Sequence, residues 1–375
     1  MRILVDVQLL PGAFLPGSHV FLIEIMMEIA RRYTNVSFVF LCESHSEPPG
    51  NLPPNVTFQY INRNLFKWMG KRIWYKYLLQ KEITRSNSDL YITIDNIYVR
   101  KTTMPICLFL IECNPLLQDA SHVKKNRKKL AQLIGAIRDA DAVITFSKND
   151  RQIIQKQVPA AANKIKLLRP PASDIAELKW TEKEMIKIEY ASGVEYFVFA
   201  GDIDERYDLV SMLKAFTLFK KWQQSNMKLL IVGNRSITTA QFSKKLDTYK
   251  YRHDVHLLLD QAKEEVQRII SGAYAFVYPA LHDHFPFNVL LAMQAGVPVI
   301  SAPLPVCEEW AGNSLMYPET NDSAGLAKSM QLVYKDEKLR SEYIEAGKRQ
   351  CSLYQKNDMA AACMNIFRKV LQTKS

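Results

Sequence analysis

The chain has 375 residues, of which 48% are hydrophobic and 23% are charged. This length exceeds the usual size of one hydrophobic core and the composition excludes a disordered chain, so we expect two folded domains. The net charge is +11. Residues 1–170 hold 24 Lys and Arg against 13 Asp and Glu, whereas the remainder holds 25 of each. The first half is therefore predicted to face an anionic partner.

The amino terminus and the cysteines indicate the cellular compartment of the protein. The first ten residues form an apolar strand-like run without the small-residue cleavage site of a signal peptide. The apolar runs are shorter than the roughly 18 residues of a membrane-spanning helix. The six cysteines show neither paired nor metal-ligand spacing, which indicates reduced thiols. We therefore expect a cytoplasmic protein.

Strand-like runs alternate with helical patterns in the first half, which is typical of parallel βαβ units. The predicted strands are RILVDV, SFVFLC, VTFQYI, LYITID, ICLFLI and AVITFS. The predicted helices include HVFLIEIMMEIARRY and KKLAQLIGAIRD. We assign residues 1–172 to an N-terminal Rossmann-like domain.

A polar, irregular stretch follows, and residues 173–194 are predicted to be a linker with one short helix. Residues 195–355 then repeat the alternation, with predicted strands EYFVFAG, KLLIVGN, VHLLL, AFVYPA, VPVISA and SLMYP. These strands are nearly all apolar, as expected for a sheet covered on both faces. The predicted fold is α/β, with two doubly wound parallel-sheet domains facing a cleft. Residues 356–375 are predicted to form a helix that can cross back to the first domain.

The second domain carries a family resemblance. In order, its segments YFVFAGDIDERYDLVSMLKAF, KLLIVGN, VHLLLDQAKEEVQRIISGAYAFVYPALHDHFPFNVLLAMQAGVPVISA and NSLMYP resemble the C-terminal domain of family 4 (group 1) glycosyltransferases. The resemblance covers roughly residues 195–350. In the first half it is weaker and rests on DADAVITFSKNDRQII followed by NKIKLLRPP. It implies the GT-B fold and sugar transfer from a nucleotide-diphosphate donor with retention of anomeric configuration.

The loop at residues 283–290 precedes a predicted helix with Asn288 as its N-cap. Free backbone N–H groups and the positive end of this helix would suit a pyrophosphate without a metal. The alternative is an ordinary junction between a loop, a helix and a strand. The resemblance implies the following donor contacts: Gly201, His284, Phe285, Phe287, Asn288, Val289 and Leu290.

The family's loop holds two carboxylates eight positions apart, the first near the transferred sugar and the second on the nucleotide ribose. Here the first position is Asp283, whereas the second is Leu291, which has no hydrogen-bonding side chain. The family also places an arginine–lysine pair after the first strand of this domain to neutralise the diphosphate. Only Arg206 is present, because Tyr207 takes the lysine position.

The resemblance also points to two places in the first domain. Family members often have a His-Asp pair after the strand that matches ICLFLI, where this chain has Glu112, a candidate catalytic carboxylate. The family's first loop lies over the sugar and the acceptor, which makes Gly17, Ser18 and His19 candidate acceptor-side residues. Alternatively, this is a wide loop and Ser18 caps the next helix.

Several other features bear on partners. The segment Asn64–Lys81 combines five cations with aromatic residues, and Lys124–Lys129 is a second basic cluster. Both suit an anionic membrane surface, although the aromatic residues could instead pack on the first sheet. No nucleic-acid-binding motif is present. His282 and His284 have the alternate spacing of metal ligands, but further ligands are absent nearby, so we expect no metal and no cofactor.

The sequence therefore predicts a retaining, nucleotide-sugar-dependent hexosyltransferase acting on a glycan or lipid-linked acceptor in surface polysaccharide or glycoconjugate synthesis. Its catalytic candidates are Asp283, Arg206 and Glu112. The protein would be cytoplasmic and peripheral on the inner membrane face. The alternative is a catalytically degenerate protein of the same fold that binds a glycan, a lipid or a partner subunit.

Overall fold

The computed structural model describes residues 1–6, 17–43, 52–61, 79–94, 102–111, 113, 116, 124–172, 175–319 and 322–374. Glu112 and residues 64–78 of the basic aromatic segment lie outside these ranges. Gly17, Ser18 and His19 are in the first turn of a helix, but the description does not extend to their side chains. The chain divides into two compact units, Met1–Pro170 with Lys356–Ser375, and Pro171–Gln355.

The first unit is built on a seven-stranded parallel sheet with strand order β3-β2-β1-β4-β5-β6-β7. Its strands are β1 Arg2–Asp6, β2 Ser37–Glu43, β3 Val56–Ile61, β4 Leu90–Thr93, β5 Ile106–Phe109, β6 Ala142–Thr145 and β7 Ile165–Leu167. Its first helices are α1 Gly17–Arg32, α2 Gln80–Arg85, α3 Lys124–Asp139 and α4 Lys148–Gln157, and a 3₁₀ helix spans Pro159–Lys164. Leu133 and Ile137 of α3, one helical turn apart, are buried in the same core as Leu108 of β5.

Asn55 joins the end of α1 to the start of β3. Its side-chain Nδ2 donates hydrogen bonds to the carbonyls of Ala30 (3.0 Å), Tyr33 (3.2 Å) and Val36 (2.7 Å). The last carbonyls of a helix lack partners within the helix, so a side-chain donor here stabilises the helix end. One amide group thus fixes both the end of α1 and the entry into β2.

We predict that Asn55→Asp lowers the free energy of unfolding by about 2–4 kcal/mol, because a carboxylate would face three carbonyl oxygens without a donor. Asn55→Ala should lower it by about 1–2 kcal/mol. Urea unfolding followed by circular dichroism measures both changes. Asn226→Asp, at an exposed position, is the control and should change stability by less than about 0.5 kcal/mol. Equal effects of Asn55→Asp and Asn226→Asp would contradict the capping role.

The second unit has a five-stranded parallel sheet with strand order β10-β9-β8-β11-β12. Its strands are β8 Tyr196–Ala200, β9 Lys228–Gly233, β10 Val255–Leu259, β11 Ala275–Tyr278 and β12 Val299–Ser301. Its helices are α5 Trp180–Ala191, α6 Leu209–Gln223, α7 Ile237–Leu246, α8 Lys263–Ser271, α9 Phe287–Gln294, α10 Pro305–Ala311, α11 Ser323–Lys335 and α12 Glu337–Cys351. Short 3₁₀ helices span Arg252–Asp254 and Gly312–Ser314. The two parallel sheets confirm the predicted α/β class.

The predicted strand SLMYP is not a strand in the structure. Only Met316 pairs with the sheet, through an isolated parallel bridge to Ile300. Its N–H donates to the carbonyl of Val299 and its carbonyl accepts from Ser301. Pro318 follows two residues later and has no N–H to donate, so the ladder does not continue.

The last helix, α13, spans Lys356–Lys374 and belongs to the first unit together with α1. The guanidinium carbon of Arg368 in α13 lies 5.7 Å from the ring of Tyr33, which directly follows α1. Residues 175–194 belong to the second unit, in which α5 buries Ile186 and Ala191. All six cysteines are buried, and none of them forms a disulfide bond. Within the described residues, no helix has both the length and the apolar character needed to cross a bilayer.

A buried lysine in the second unit is neutralised by one carboxylate. The Lys220 ammonium is 5% exposed and lies 2.9 Å from Asp254, and it also donates to the carbonyls of Ser225 and Met227. Lys228 donates to the other Asp254 oxygen at 2.6 Å. Partial burial alone would raise the pKa of Asp254, but the bonds from Lys228 and Lys220 outweigh it and lower this pKa.

Asp254→Asn should destabilise the protein by about 2 kcal/mol at pH 7, because it leaves buried Lys220 without a counter-charge. The folded-state pKa of Asp254 is depressed, so its contribution is present above the unfolded value of about 3.9 and is lost as the pH falls through the folded value. The difference in stability between Asp254→Asn and the wild type should therefore become smaller below about pH 4. Thermal unfolding from pH 3 to pH 7 measures it, with exposed Asp247→Asn as control. A pH-independent difference would contradict this linkage.

Candidate functional site

Two loops meet at the carboxyl edge of the second sheet. The β8 loop (residues 201–208) follows β8, and the β11 loop (residues 279–286) follows the neighbouring strand β11. Tyr207 and Ala280 form an antiparallel bridge. The Asp208 N–H donates to the Pro279 carbonyl at 2.8 Å, and the Leu281 N–H donates to the Arg206 carbonyl at 2.7 Å. The two loops are therefore one hydrogen-bonded unit.

This edge is where the strand order reverses. From β8 the chain continues to β9 on one side, and β11 lies on the other side. Ligands of open α/β sheets bind outside the carboxyl ends of strands at such a switch point. The sequence candidates Gly201, Arg206, Asp283 and Asn288 all lie at this edge. The geometry thus places the candidate site at the general ligand position of the fold.

Asn288 has a different role from the predicted N-cap. Helix α9 begins at Phe287, its N-cap residue is Pro286, and no side chain caps it. The Asn288 side chain lies in the first turn and donates to the Ala200 carbonyl at 2.9 Å. Because Pro286 fixes its own φ and lacks an N–H, it can start the helix two positions earlier than expected. Asn288 therefore ties α9 to the end of β8.

Gly201 is required by close packing. A Cβ atom at this position would lie 3.0 Å from Cζ of Phe199 and 3.5 Å from Cζ of Tyr207. The Phe199 and Tyr207 rings are 5.1 Å apart in an edge-to-face arrangement. Glycine at the first position of the β8 loop thus leaves room for these two rings. The predicted contact of Gly201 with the donor stays a prediction.

Arg206 is engaged by carboxylates of its own loop. Its Nε lies 3.1 and 3.0 Å from the two oxygens of Asp204. Its Nη2 donates to Asp204 at 2.8 Å and to Asp202 at 2.5 Å. Partial burial opposes the charge of the guanidinium, but the Asp204 bonds outweigh it and raise the pKa of Arg206. Burial likewise acts against the Asp204 charge, yet Arg206 lowers the pKa of that carboxyl.

Asp283 accepts four hydrogen bonds. Its Oδ1 accepts from the backbone N–H groups of His284 at 2.6 Å and Phe285 at 2.9 Å. Its Oδ2 accepts from the hydroxyls of Tyr207, at 3.1 Å, and Tyr278. Burial, together with the charge of Asp283, raises the pKa of both tyrosines, which keeps the hydroxyls protonated as donors. A carboxylate has about four acceptor positions, so these donors occupy the capacity that a sugar hydroxyl would use.

Two of the four predicted donor contacts on α9, Val289 and Leu290, face the core. Val289, Leu290 and Leu291 are all buried, and Leu291 is only 2% exposed. The Phe287 N–H donates to the Phe285 carbonyl at 2.8 Å, and the Val289 N–H donates to the Pro286 carbonyl at 3.1 Å. We expected these amides to be free for a pyrophosphate, and the structure shows that both have protein acceptors.

The remaining β11-loop candidates form an aromatic and histidine cluster. The Phe285 and Phe287 rings are stacked 6.2 Å apart, and Trp310 packs edge-to-face on Phe285 at 5.3 Å. His284 is buried, whereas His282 is partly exposed. The electrostatic interaction of His282 with Asp204 contributes to lowering the pKa of that carboxyl. The two histidines therefore differ in environment, in contrast to the shared exposure that their spacing suggests.

The structure adds residues that sequence reasoning did not select. The sequence singles out Tyr207 only as the residue at the family's lysine position, whereas in the structure its hydroxyl donates a hydrogen bond to Asp283. Tyr278 was read as part of a buried strand, and a tyrosine at the last position of β11 was the available signal. Asp202 and Asp204 lie within four residues of Arg206 and form ion pairs with it, and this spacing in the sequence was the available signal.

The comparisons with known proteins fit this fold and this edge. The family model for glycosyl transferases group 1 matches residues 181–350. The solved structure of sucrose-phosphate synthase from Thermosynechococcus elongatus superposes with a TM-score of 0.80 at 13% identity, covering 99% of each chain. That of Anabaena Alr3699/HepE in complex with UDP and glucose gives 0.74 at 13% identity, covering 98% of this chain and all of the other.

These likenesses define the chain as a GT-B-fold protein with two parallel-sheet α/β domains. The match to the glycosyl transferases group 1 model falls within its second unit. A curated relative, the O-antigen chain mannosyltransferase RfbU of Salmonella typhimurium, is 24% identical over 194 residues, which cover 52% of this chain and 50% of the relative. The chain thus matches about half the length of its curated relatives.

Tyr207→Phe and Tyr278→Phe should each destabilise the joined loops by about 2 kcal/mol, because each removes a hydrogen bond to a charged oxygen of Asp283. Amide hydrogen exchange of residues 279–290 should become at least roughly tenfold faster, with little change at β9 and β10. Tyr343→Phe, which removes a hydroxyl elsewhere in the second unit, is the control. Unchanged exchange in both variants would show that the tyrosines do not hold Asp283.

Proposed function

We propose that this protein transfers a hexose from a nucleotide-diphosphate donor, with retention of configuration, to a glycan or lipid-linked acceptor in surface polysaccharide synthesis. The observation that carries the proposal is the joined pair of loops at the switch point of the second sheet, in a unit that matches a glycosyltransferase family model. The O-antigen function named for RfbU and the UDP and glucose bound to HepE indicate the substrate class.

The β8 loop would meet the diphosphate, and Arg206 would neutralise the charge that develops on the leaving group. Its Nη1 has no hydrogen-bond partner among the described residues and is the nitrogen available to a phosphate oxygen. Asp283 would orient the β11 loop beside the sugar rather than accept a proton. Departure of the nucleotide and attack of the acceptor on the same face need no protein nucleophile, and no metal or cofactor enters this scheme.

The first unit would bind the acceptor. All of the net charge of +11 lies in residues 1–170, which favours a phosphate-bearing acceptor. Glu112, Gly17, Ser18 and His19 stay the candidate residues on this side. The Asn64–Lys81 segment would hold the protein on an anionic inner membrane face. We therefore infer a cytoplasmic, membrane-peripheral enzyme.

A second candidate function is a catalytically degenerate protein that binds a glycan, a lipid or a partner subunit. Two observations favour it. Leu291, at the position where the family has a ribose-binding acid, is buried in the core. Arg206, the remaining cation of the family pair, is bound to two carboxylates.

Calorimetry with a panel of UDP-, GDP- and ADP-sugars separates the two candidates. For an enzyme we expect one donor to bind with a Kd of about 10–500 μM and Arg206→Ala to weaken it about tenfold, as expected for loss of a charge-assisted contact. Arg252→Ala is the matched control, because exposed Arg252 precedes β10 and lies at the opposite sheet edge. A folded protein that binds no donor on the panel would favour the degenerate protein.

A further inference from the structure

The Arg206 guanidinium has already used most of its donors. Nε and Nη2 form one edge of the guanidinium, and this edge faces Asp204, while the second hydrogen of Nη2 is directed at Asp202. Only Nη1 remains without a hydrogen-bond partner among the described residues. A bidentate contact to a diphosphate needs two guanidinium nitrogens, so it requires the release of at least one carboxylate.

The two carboxylates are held in place by the fold. Ile203 lies between them and is buried, with its side chain packed against Gly233, where a Cβ atom would be 2.8 Å from Ile203 Cγ1. Asp202 also accepts from the Asn234 side chain at 2.9 Å, and Asp204 also accepts from the Arg206 N–H at 3.0 Å. Both acids are therefore held beside Arg206 by further contacts, with the Asp202 side chain 48% exposed and that of Asp204 31% exposed.

The local charge opposes an anionic ligand. One guanidinium and two carboxylates give this cluster a net charge of minus one, and Glu205 adds another acid to the same loop. At a partly exposed site, the interaction energy of two unit charges about 5 Å apart is large enough to change the affinity for an anionic ligand by about tenfold or more. A phosphate must compete with these carboxylates for Arg206.

We propose that Asp202 and Asp204 set the affinity of this site for phosphate-bearing ligands by competing for Arg206. The inference deepens the proposed function and rests on it for the identity of the natural ligand. Both acids are then specificity-determining residues. They weaken the binding of any lone phosphate group and favour a donor whose other contacts displace the carboxylates.

Inorganic pyrophosphate is the direct probe, since it carries neither base nor sugar. Calorimetry on the full chain should show that Asp204→Asn binds pyrophosphate about five- to twentyfold more tightly than the wild type, and Asp202→Asn about threefold more tightly. Asparagine keeps an acceptor oxygen for the N–H of Arg206 and for Asn234, so the loop should stay folded. The Asp204→Asn/Arg206→Ala double variant should lose the gain.

Glu205→Gln is the matched control. It removes the same charge from the same loop, but Glu205 is exposed and is not a partner of Arg206 in the structure, so its pyrophosphate affinity should stay within about twofold of the wild type. Equal affinities for Asp204→Asn and wild type, or a gain that survives in the double variant, would overturn the inference.

Parallel titrations with UDP, GDP and ADP distinguish this result from failure of the proposed function. Nucleotide binding by the wild type together with unchanged pyrophosphate affinity in Asp204→Asn overturns only the inference. A pyrophosphate gain without binding of any nucleotide supports the inference and removes the proposed function. The absence of binding of every probe by every variant overturns both.

Discussion

The arrangement of the candidate site depends on the carboxylate of Asp283. It collects two hydroxyls from the β8 and β11 segments and two backbone N–H groups from its own loop. A partly buried carboxylate is stable only when its oxygens are hydrogen-bonded, so the four donors and the acid maintain one another. The backbone bridge between Tyr207 and Ala280 joins the same two loops. The path of both loops is thereby fixed.

The departures from the family pattern are connected in this structure. Tyr207 stands at the family's lysine position, and its hydroxyl reaches Asp283 at the first acid position of the β11 loop. A lysine there would bring a positive charge, whereas tyrosine brings a neutral donor and a ring that packs on Phe199 and Tyr278. Arg206 then has its nearest counter-charges in Asp202 and Asp204 rather than in a ligand. Tyr207 is therefore in contact with both Asp283 and Arg206, and these three residues belong to one packed arrangement.

The fold was predictable because strand and helix patterns are local, whereas the site depends on contacts between distant segments. The apolar runs located eleven of the twelve described strands within a few residues, but the three-residue strand β7 is not among the predicted ones. SLMYP failed because one proline ends a ladder that its apolar residues would otherwise continue. The acids around Arg206 are adjacent in sequence, yet only coordinates show that they occupy its donors. The link from Tyr207 to Asp283 spans 76 positions, and no pattern within either loop encodes it.

Helix α9 limits how a nucleotide can be held. Its first turn contributes Val289, Leu290 and Leu291 to the core, so this stretch offers no carboxylate to a ribose. Among the described residues of the second unit, the β8 loop, partly exposed His282 and backbone groups at the sheet edge are the polar groups that would contact the proposed donor. In the proposed function such a site would recognise a phosphate group chiefly through Arg206, and Arg206 would be available only to the extent that Asp202 and Asp204 release it. If the proposed function holds, phosphate recognition therefore depends directly on the charge balance of the β8 loop.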